Sequence, residues 1–312
     1  MDRTDVRILA ELFRDPRAGY AELGPHVGLS PNAIAARVKR LGSTGVLQGF
    51  AALPAPRLLG MVEGLLVFTN VDDLPEREAE ILASLPDVPG VRYVDVGLDH
   101  SVQVWMWHTN EADWERIERA AVSLVGKPPQ FALRGDPGAE GALLSSSEWR
   151  IMRAMLPDAR IPLKELARRA GLSFKTARRH LTRLLRDGAI RMEPVLSPTE
   201  AQGLVLFTLS IVLRPDARLD EVLALLPDAS MAQSTPGSPV VLLHVARDSL
   251  RDAQADHRAV SASPAVERVL FTIATRRRAD AWLDDAIGAR IAALRQPNVA
   301  PVAVTVPLPK SS

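Results

Sequence analysis

The chain of 312 residues has no cysteine and no long apolar run. Without cysteine it forms no disulfide, no thiolate metal site and no cysteine nucleophile. Since a membrane-spanning helix needs about 20 predominantly apolar residues, we expect no such helix. The first five residues alternate charges and no apolar segment follows them, so we also expect no signal peptide. A cytoplasmic location is therefore predicted.

The sequence also lacks the short motifs of common catalytic sites. No HExxH, GxSxG, P-loop or Rossmann fingerprint is present. The six histidines are dispersed, and His100 with His108 is the only near pair in the sequence. The acidic residues form no group that the sequence alone can place. We therefore expect no catalytic residue, no metal site and no cofactor, and a protein that is not an enzyme.

Charge is concentrated in segments, although the net charge of the whole chain is only +1. The net charge is +3 over residues 1–60, −9 over 61–144, +7 over 145–193 and zero over 194–312. Two basic segments separated by an acidic one favour two surfaces that meet a polyanion such as nucleic acid. The simpler interpretation, that these charges only solvate helix faces, stays open at this point.

An internal repeat organises the chain. Residues 6–47 can be laid on residues 149–190 without a gap. The match is anchored by Gly28-Leu29-Ser30 against Gly171-Leu172-Ser173, and the pattern of apolar residues agrees on both sides of this anchor. Self-similarity of this size implies one supersecondary unit that is used twice.

Each copy of the repeat predicts three helices. In the first copy, apolar residues recur at helical spacing from Val6 onward, and Gly28 suits the left-handed turn that ends the second helix. Ser30 is a natural N-cap, and Pro31 stands at the first helical position, where a missing N–H costs nothing. Such a succession of helices and turn is the helix-turn-helix arrangement. The short β-rich segment after each copy is expected to form a wing.

The segments between and after the two copies predict two sheet domains. Each shows the order β-α-β-β-α-β, which is typical of a ferredoxin-like fold. The first set is predicted at residues 64–71, 74–85, 91–97, 102–108, 112–124 and 130–133. The second set is predicted at residues 205–213, 219–226, 230–235, 240–246, 250–260 and 266–274. The predicted fold class is α+β, with two winged helix-turn-helix units alternating with two ferredoxin-like domains in an internal duplication.

The chain is therefore expected to divide into consecutive domains. They are a winged helix-turn-helix at 1–58, a ferredoxin-like domain at 59–134, a linker at 135–144, a second winged helix-turn-helix at 145–195, a second ferredoxin-like domain at 196–278, and a C-terminal helix with a proline-containing tail at 279–312.

Motifs in both copies carry a family resemblance. They include Asp2-Arg3-Thr4-Asp5-Val6-Arg7-Ile8-Leu9, Val27-Gly28-Leu29-Ser30-Pro31 and Arg37-Val38-Lys39-Arg40-Leu41, and Leu163-Lys164-Glu165-Leu166-Ala167-Arg168-Arg169-Ala170-Gly171-Leu172-Ser173 in the second copy. At these residues the chain resembles the leucine-responsive regulator/AsnC (Lrp/AsnC) family, here in a tandem form. The resemblance implies DNA-binding units joined to effector-sensing ferredoxin-like domains whose sheets pair back to back. It also implies regulation by an amino acid or another small molecule.

Two departures from the family's pattern are visible. Gly24-Pro25 lies inside the second predicted helix, where proline costs about 3 kcal/mol. We therefore expect this helix to be short or bent, and the first unit to fit DNA less well. The family's sensor loop has a glycine followed by an acidic residue, as in Gly97-Leu98-Asp99, whereas residues 235–239 break this order. The second sensor domain is therefore expected to be altered.

The third helix of each copy holds most of the candidate DNA-binding residues, because a recognition helix inserts its N-terminal part into the major groove. In the second copy we assign three residues to base edges: Lys175, Thr176 and Arg179. We assign phosphates to Arg178, Arg183 and Arg186, and to Arg168 and Arg169 on the preceding helix. The first copy offers a smaller set, namely Ser30, Asn32, Ala33, Arg37 and Arg40. The second copy is therefore expected to dominate non-specific binding.

Alternatives remain at these positions. The arginines of the second copy also fit a solvated helix face, although a face built for solubility normally mixes acidic with basic residues. Asn32 fits a bidentate contact to adenine, and it equally fits a residue favoured near a helix cap. Both interpretations stay open on the sequence alone.

The candidate effector-binding residues are Gly97, Asp99, His100 and Ser101, between two predicted strands. They combine backbone freedom with a carboxylate that would hold a ligand ammonium group. The alternative is an ordinary polar hairpin turn, since the same residue types favour turns.

The leading hypothesis for function is a sequence-specific DNA-binding transcriptional regulator that responds to a small molecule. Its expected partners are double-stranded DNA and an effector, with no membrane, and the chain is expected to act as a pseudo-symmetric monomer or a homodimer. The alternative is an enzyme similar to the siroheme decarboxylases, which share this architecture and process tetrapyrroles. Those enzymes place histidines in their sheet domains, whereas His244 stands alone in the second one.

Overall fold

The computed structural model describes residues 1–135, 144–226, 231–234, 240–278 and 281–294. The inner part of the predicted linker, the altered loop at 235–239 and the proline-containing tail from residue 295 lie outside these described residues. Among the described residues, no helix is both long and apolar enough to cross a membrane.

The chain begins with the first helix-turn-helix. Its helices are α1 (Arg3–Arg14), α2 (Tyr20–Val27) and α3 (Pro31–Ser43). Gly28 has φ of +78°, a left-handed conformation that glycine adopts without strain, and it ends α2. The hydroxyl of Ser30 then accepts a hydrogen bond from the backbone N–H of Ala33, which starts α3 as the sequence predicts.

Proline does not interrupt helix α2, which is short, with eight residues. The helix keeps its full range with Pro25 inside it. The ring removes one backbone donor near the C-terminal end of a helix of eight residues, where few hydrogen bonds remain to be lost. Leu23 and Val27 are buried on the same face, and this packing holds the helix together.

A strand and the first ferredoxin-like domain follow. The strand is β1 (Leu47–Pro54). The domain consists of β2 (Val62–Phe68), α4 (Leu74–Ser84), β3 (Val91–Gly97), β4 (Val102–His108), α5 (Glu111–Val125) and β5 (Phe131–Arg134). Strand β2 pairs antiparallel with both β4 and β5, so it lies between them.

The second helix-turn-helix repeats the first. Its helices are α6 (Ser146–Met155), α7 (Leu163–Arg169) and α8 (Phe174–Arg186). Gly171 has φ of +62°, and Ser173 caps α8 as Ser30 caps α3. Strand β6 (Ile190–Leu196) follows and pairs with β1. The two segments that were expected to form separate wings therefore form one two-stranded sheet, because each supplies the other's missing backbone partners.

The second ferredoxin-like domain completes the duplication. It consists of β7 (Val205–Leu213), α9 (Leu219–Leu223), β8 (Met231–Ser234), β9 (Val241–Arg247), α10 (Leu250–Ser261) and β10 (Val266–Thr272). The strand order is β10-β7-β9-β8, and β5-β2-β4-β3 is the same order in the first sheet. A fifth strand, β11 (Ala274–Arg278), extends the first sheet beside β3, and helix α11 (Ala281–Ala293) ends the described chain. The α+β duplicated fold predicted from the sequence is confirmed.

The fold divides into two compact units built from separated segments. One unit contains residues 1–51, 95–101 and 192–276, and the other contains 52–94, 102–191 and the described residues from 277 onward. Each unit thus combines one helix-turn-helix with the sheet of the other half of the chain.

In the unit that begins the chain, the helix-turn-helix packs against the second sheet. Leu9, Leu12 and Ile34 share one apolar core with Leu206 and Met231 of the sheet. The other face of this sheet covers a second core with α10. The sheet is therefore buried on both faces. The first helix-turn-helix covers one face, and α10 covers the other.

A buried histidine lies beside this packing. His244 on β9 is 3% exposed, and its Nδ1 lies 2.9 Å from the hydroxyl oxygen of Thr208. Its ring centroid is 5.3 Å from that of Phe13 in α1. Burial lowers the pKa of His244 to about 3, and the positive charge of Arg276 adds to this effect. The histidine is therefore neutral at physiological pH.

In the other unit, helix α11 ties the first sheet to the second helix-turn-helix. The indole N–H of Trp282 donates to the carbonyl oxygen of Val91, at 2.6 Å. Two residues after Trp282, Asp284 accepts two hydrogen bonds from the guanidinium of Arg153 on α6, at 2.8 and 2.6 Å. The C-terminal helix is therefore a structural part of this unit.

The pKa of His244 leads to a prediction about acid stability. Because the folded pKa lies below the usual histidine value of 6.5, the contribution of neutral His244 is complete above about pH 6.5 and is lost as the pH falls towards 3. The loss is at most about 1.4 kcal/mol per pH unit. We expect His244→Asn, which cannot titrate, to show a shallower fall in the free energy of unfolding between pH 6.5 and 3, measured by urea unfolding. His26→Asn, at an exposed position, is the control; equal slopes for all three proteins would contradict the prediction.

Candidate nucleic-acid interface

Helix α8 has one face that packs against no other element in the described part of the chain. Ala177, Leu181 and Leu184 are buried, so the helix is held by one side, as the spacing predicts. The hydroxyl of Ser173 accepts from the backbone N–H of Thr176 at 3.2 Å, and it donates to the Thr176 hydroxyl at 2.9 Å. The cap therefore fixes the first turn of the helix and its side chains together.

The outward face forms an open groove with a strong positive charge. Its lining residues are Lys175, Thr176, Arg178, Arg179, Thr182, Arg183 and Arg186. Within the described part of the chain, no ion pair or hydrogen bond engages the side chains of Lys175, Arg178 and Arg179. All three lie in the first two turns, where the helix dipole adds positive potential. This arrangement suits a polyanion.

Arg183 differs from these three because it has a buried internal partner. Its guanidinium pairs with Glu148, a fully buried residue of α6. The Nδ1 of His180 lies 3.2 Å from the same carboxylate. Glu148 also caps its own helix, since its carboxylate accepts from the backbone N–H and the hydroxyl of Ser145, at 2.9 and 2.8 Å. One buried carboxylate thus holds both α6 and α8.

The protonation state of Glu148 follows from these contacts. Burial opposes its ionisation, but the hydrogen bonds from Ser145 and His180 and the charge of Arg183 outweigh burial, and the pKa of Glu148 falls below its usual value. The carboxylate is therefore charged at neutral pH, and it neutralises the positive charge of Arg183.

The first copy repeats this carboxylate at Asp5. Asp5 is fully buried and accepts from Arg37 at 2.9 Å and from Arg40 at 2.7 Å. Arg37 also contacts Asp2, at 2.7 Å. The hydrogen bonds from Arg37 help to lower the pKa of Asp2 against the opposing effect of burial. Both arginines that the sequence assigned to DNA in the first copy are thus held by internal carboxylates.

The outward face of α3 has much less charge than that of α8. In the register of the repeat, its equivalent positions are Asn32, Ala33, Ala35, Ala36, Lys39 and Ser43. Asn32 and Lys39 are exposed, whereas Ala33 is half-buried and Ser30 is engaged as the cap. One lysine therefore stands where α8 has four cations.

The remaining predicted phosphate contacts are paired at the surface. Arg168 and Arg169 both bind Glu165, with distances from 2.6 to 2.8 Å, and these bonds lower the pKa of Glu165 to about 2. Arg186 contacts Asp187 at 2.8 Å. Since exposed ion pairs contribute little, about 0–1 kcal/mol, all three arginines can exchange these partners for phosphate.

The candidate effector residues form a tight hairpin between β3 and β4. The backbone N–H of Gly97 donates to Ser101, and that of His100 donates to Gly97, at 2.8 and 3.1 Å. The Ser101 hydroxyl donates to the Asp99 carboxylate at 2.6 Å. Asp99 and His100 are exposed, Gly97 and Ser101 are buried, and His100 has φ of +58°. The four residues lie together, and the carboxylate already has one partner.

The sequence analysis did not identify Thr182, Asp5 or Glu148 as parts of this interface. Thr182 lines the groove, and helical spacing from Arg178 and Arg179 was the signal that could have found it. Asp5 and Glu148 stand at the third position of their helices, within the capping-box motifs Asp2-Arg3-Thr4-Asp5 and Ser145-Ser146-Ser147-Glu148. Those motifs predict the caps but not the ion pairs to the third helix.

Family models match both helix-turn-helix segments. A model described as the AsnC-type helix-turn-helix domain matches residues 1–41. A model described as winged helix-turn-helix DNA-binding matches residues 144–191. The two matches correspond to the two copies of the repeat.

Curated relatives match parts of the chain. The chain is 31% identical to the HTH-type transcriptional regulator LrpA of Pyrococcus horikoshii over 115 residues, which cover 36% of this chain and 79% of that protein. It is 44% identical to the leucine-responsive regulatory protein of Escherichia coli over 71 residues, which cover 23% of this chain and 42% of that protein.

A solved enzyme structure corrects one expectation. The siroheme decarboxylase NirDL aligns with 94% of this chain and 100% of its own, with a TM-score of 0.47 and 16% identity. The expectation that this chain is not an enzyme was drawn from the absence of short catalytic motifs, and it was wrong to exclude catalysis on that ground, since an enzyme aligns along nearly the whole chain. At this identity and TM-score, the likeness assigns no activity.

The contrast between buried and exposed carboxylates gives a prediction. We expect Glu148→Gln to lower the free energy of unfolding by about 1–3 kcal/mol at pH 7, because the guanidinium of Arg183 and the cap of α6 lose a charged acceptor. The pKa of Glu148 is lowered in the folded state, so the stability that its carboxylate contributes is present above the usual glutamate value of 4.5 and is lost as the pH falls through the folded pKa. Urea unfolding at pH 7 and below pH 4 measures both effects.

Glu165→Gln is the matched control, since Glu165 also binds two arginines but lies at the surface. We expect it to change the free energy of unfolding by less than about 1 kcal/mol. Equal losses in the two variants would show that burial of the carboxylate is not the cause.

Proposed function

Because the chain belongs to the Lrp/AsnC family of DNA-binding regulators, we propose that it is a transcriptional regulator that binds a specific DNA sequence mainly through helix α8 and responds to a small-molecule effector. One observation carries the proposal: Lys175, Arg178 and Arg179 have no partner among the residues that the structure describes, and they lie at the start of the helix that a helix-turn-helix inserts into the major groove. The proposal keeps the predicted domain boundaries, and both a pseudo-symmetric monomer and a homodimer remain compatible with it.

Electrostatics supports a nucleic-acid partner for α8. Each phosphate that a protein cation neutralises releases counterions, so affinity falls with salt by a slope of about 0.9 for each contact. Lys175, Arg178 and Arg179 need to break no ion pair within the described chain before they contact DNA. Arg186 can do so after it leaves Asp187. Arg183 keeps its buried partner, so we no longer assign it to phosphate.

The two copies are expected to contribute unequally to DNA affinity. Helix α3 presents Asn32 and Lys39 where α8 presents Lys175 and Thr182, and it has alanines in place of Arg178 and Arg179. We propose that the second copy provides most of the affinity. The first copy adds a weaker contact, in which Asn32 is the candidate for reading adenine.

An effector site at the β3–β4 hairpin is part of the proposal. The Asp99 carboxylate is exposed and accepts one hydrogen bond, from Ser101, so it keeps capacity for a ligand ammonium. His100 lies beside it and is exposed. A relative is named a leucine-responsive regulatory protein, which supports an amino acid as the class of effector.

The proposal predicts how salt dependence divides among the arginines. We expect Arg179→Gln to lower affinity for duplex DNA at 100 mM salt several-fold and to reduce the slope of log affinity against log salt by about 0.9. We expect Arg183→Gln to leave that slope unchanged, because its charge is already neutralised by Glu148. Fluorescence anisotropy with a labelled duplex at four salt concentrations measures both. A smaller slope in Arg183→Gln than in Arg179→Gln would contradict the assignment.

The first copy offers the reciprocal test. Ala36 occupies the position equivalent to Arg179, and it is exposed. We expect Ala36→Arg to increase non-specific affinity and steepen the salt slope by about 0.9. No change in this variant would mean that α3 does not approach DNA. Selection of bound sequences from a random duplex pool tests the regulator function itself, and recovery of no motif would refute sequence-specific binding.

The effector part is tested by amino acids added one at a time. We expect at least one to raise the melting temperature of the protein, since a ligand that binds only the folded state stabilises it by mass action. Asp99→Asn should abolish this shift without lowering the melting temperature of the unliganded protein. A shift that persists in Asp99→Asn would place the effector elsewhere.

A further inference from the structure

Helix α8 begins with an exposed aromatic side chain. Phe174 is 52% exposed, and the other large apolar side chains that are exposed in the described part of the chain are leucines. Burial of a phenylalanine side chain is favourable because it removes a large apolar surface from water. Phe174 gains only part of this stabilisation within the chain, because it stays 52% exposed. Ser173, the residue before it, caps the helix and so fixes the position of Phe174 at the first turn.

The position of Phe174 directs its ring beyond the end of the helix. In an α-helix every Cα–Cβ bond tilts towards the N-terminus, so a side chain at the first position projects past the backbone. Lys175 follows it directly, and Arg178, four residues further on, is its neighbour on the helix surface. The apolar ring of Phe174 therefore lies at the N-terminal end of the face that carries Lys175 and Arg178.

The chemistry of the major groove offers a partner for this ring. Base edges there present hydrogen-bond donors and acceptors, and thymine alone adds an apolar group, the C5 methyl, which phenylalanine contacts favourably. The N-terminal part of a recognition helix is the part that meets base edges. We infer that Phe174 is a specificity-determining residue that packs on a thymine methyl group in the DNA site. This inference rests on the proposed function.

The first copy has no aromatic side chain at the first position of its third helix. Pro31 occupies the equivalent position in α3, and its small pyrrolidine ring, closed on the backbone, is not aromatic and does not reach as far as a phenylalanine side chain. A preference for thymine at this position therefore belongs to the half of the DNA site that α8 contacts. The two half-sites read by one chain should differ at that base pair.

The experiment compares duplexes that carry thymine with duplexes that carry uracil at single positions. The full chain is first used to select a duplex from a random pool, and each thymine of the selected duplex is then replaced in turn by uracil, which lacks only the C5 methyl. We expect one replacement to weaken wild-type binding about three- to fivefold, from about 0.8 kcal/mol for one buried methyl-sized group. The same replacement should not weaken binding of Phe174→Ala, and a double-mutant cycle isolates this coupling.

Leu250→Ala is the matched control. Leu250 is 55% exposed and is the first residue of α10, directly after the capping residue Ser249, in the second ferredoxin-like domain. It should leave DNA affinity and the uracil effect unchanged. Phe174→Leu, which keeps an apolar group, should retain part of the effect, and circular dichroism should confirm that all variants are folded.

Each result has one meaning. If Phe174→Ala loses the same factor as wild type on every uracil duplex, or binds all duplexes as tightly as wild type, the inference is overturned while DNA binding stands. If no thymine position is sensitive to uracil in the wild type, the inference is likewise overturned. If the full chain selects no duplex at all, the proposed function fails and takes the inference with it.

Discussion

A buried carboxylate that joins the first and third helices of each helix-turn-helix sets the position of the outward face of the third helix. Asp5 and Glu148 are fully buried, and each both caps its own helix and pairs with an arginine of the third helix. Removing the arginine leaves the buried carboxylate without its counter-charge, which costs several kcal/mol. The third helix is therefore held by charge as well as by apolar contacts, and its outward face is presented in one orientation.

The same frame supports two different surfaces. The buried carboxylate neutralises Arg40 in one copy and Arg183 in the other. The charge that the third helix presents to a polyanion therefore depends on the other outward-facing positions of that helix. In α8 the first two turns carry Lys175, Arg178 and Arg179, which have no partner among the described residues, whereas the equivalent positions of α3 carry asparagine and alanine. A duplicated fold thus provides one strongly and one weakly charged recognition helix, with no change in the structural pair that holds them.

Much of this arrangement was determined by local sequence. Capping residues such as Ser30 and Ser173, the turn glycines Gly28 and Gly171, and the apolar spacing of the helices each act within a few residues, so they predict the helices and their buried faces. The order of strands and helices likewise predicts both ferredoxin-like sheets. Pro25 shows the limit of local rules, since tertiary packing of Leu23 and Val27 holds a helix that propensity alone disfavours.

Long-range contacts decided the rest. The partner of Arg40 lies 35 residues away in the sequence, and nothing local distinguishes an arginine that meets a carboxylate from one that meets phosphate. In the same way, strands β1 and β6 pair with each other, and each compact unit takes a helix-turn-helix from one half of the chain and a sheet from the other. Sequence periodicity reports which face of an element is buried, but the identity of what covers that face depends on the assembled core.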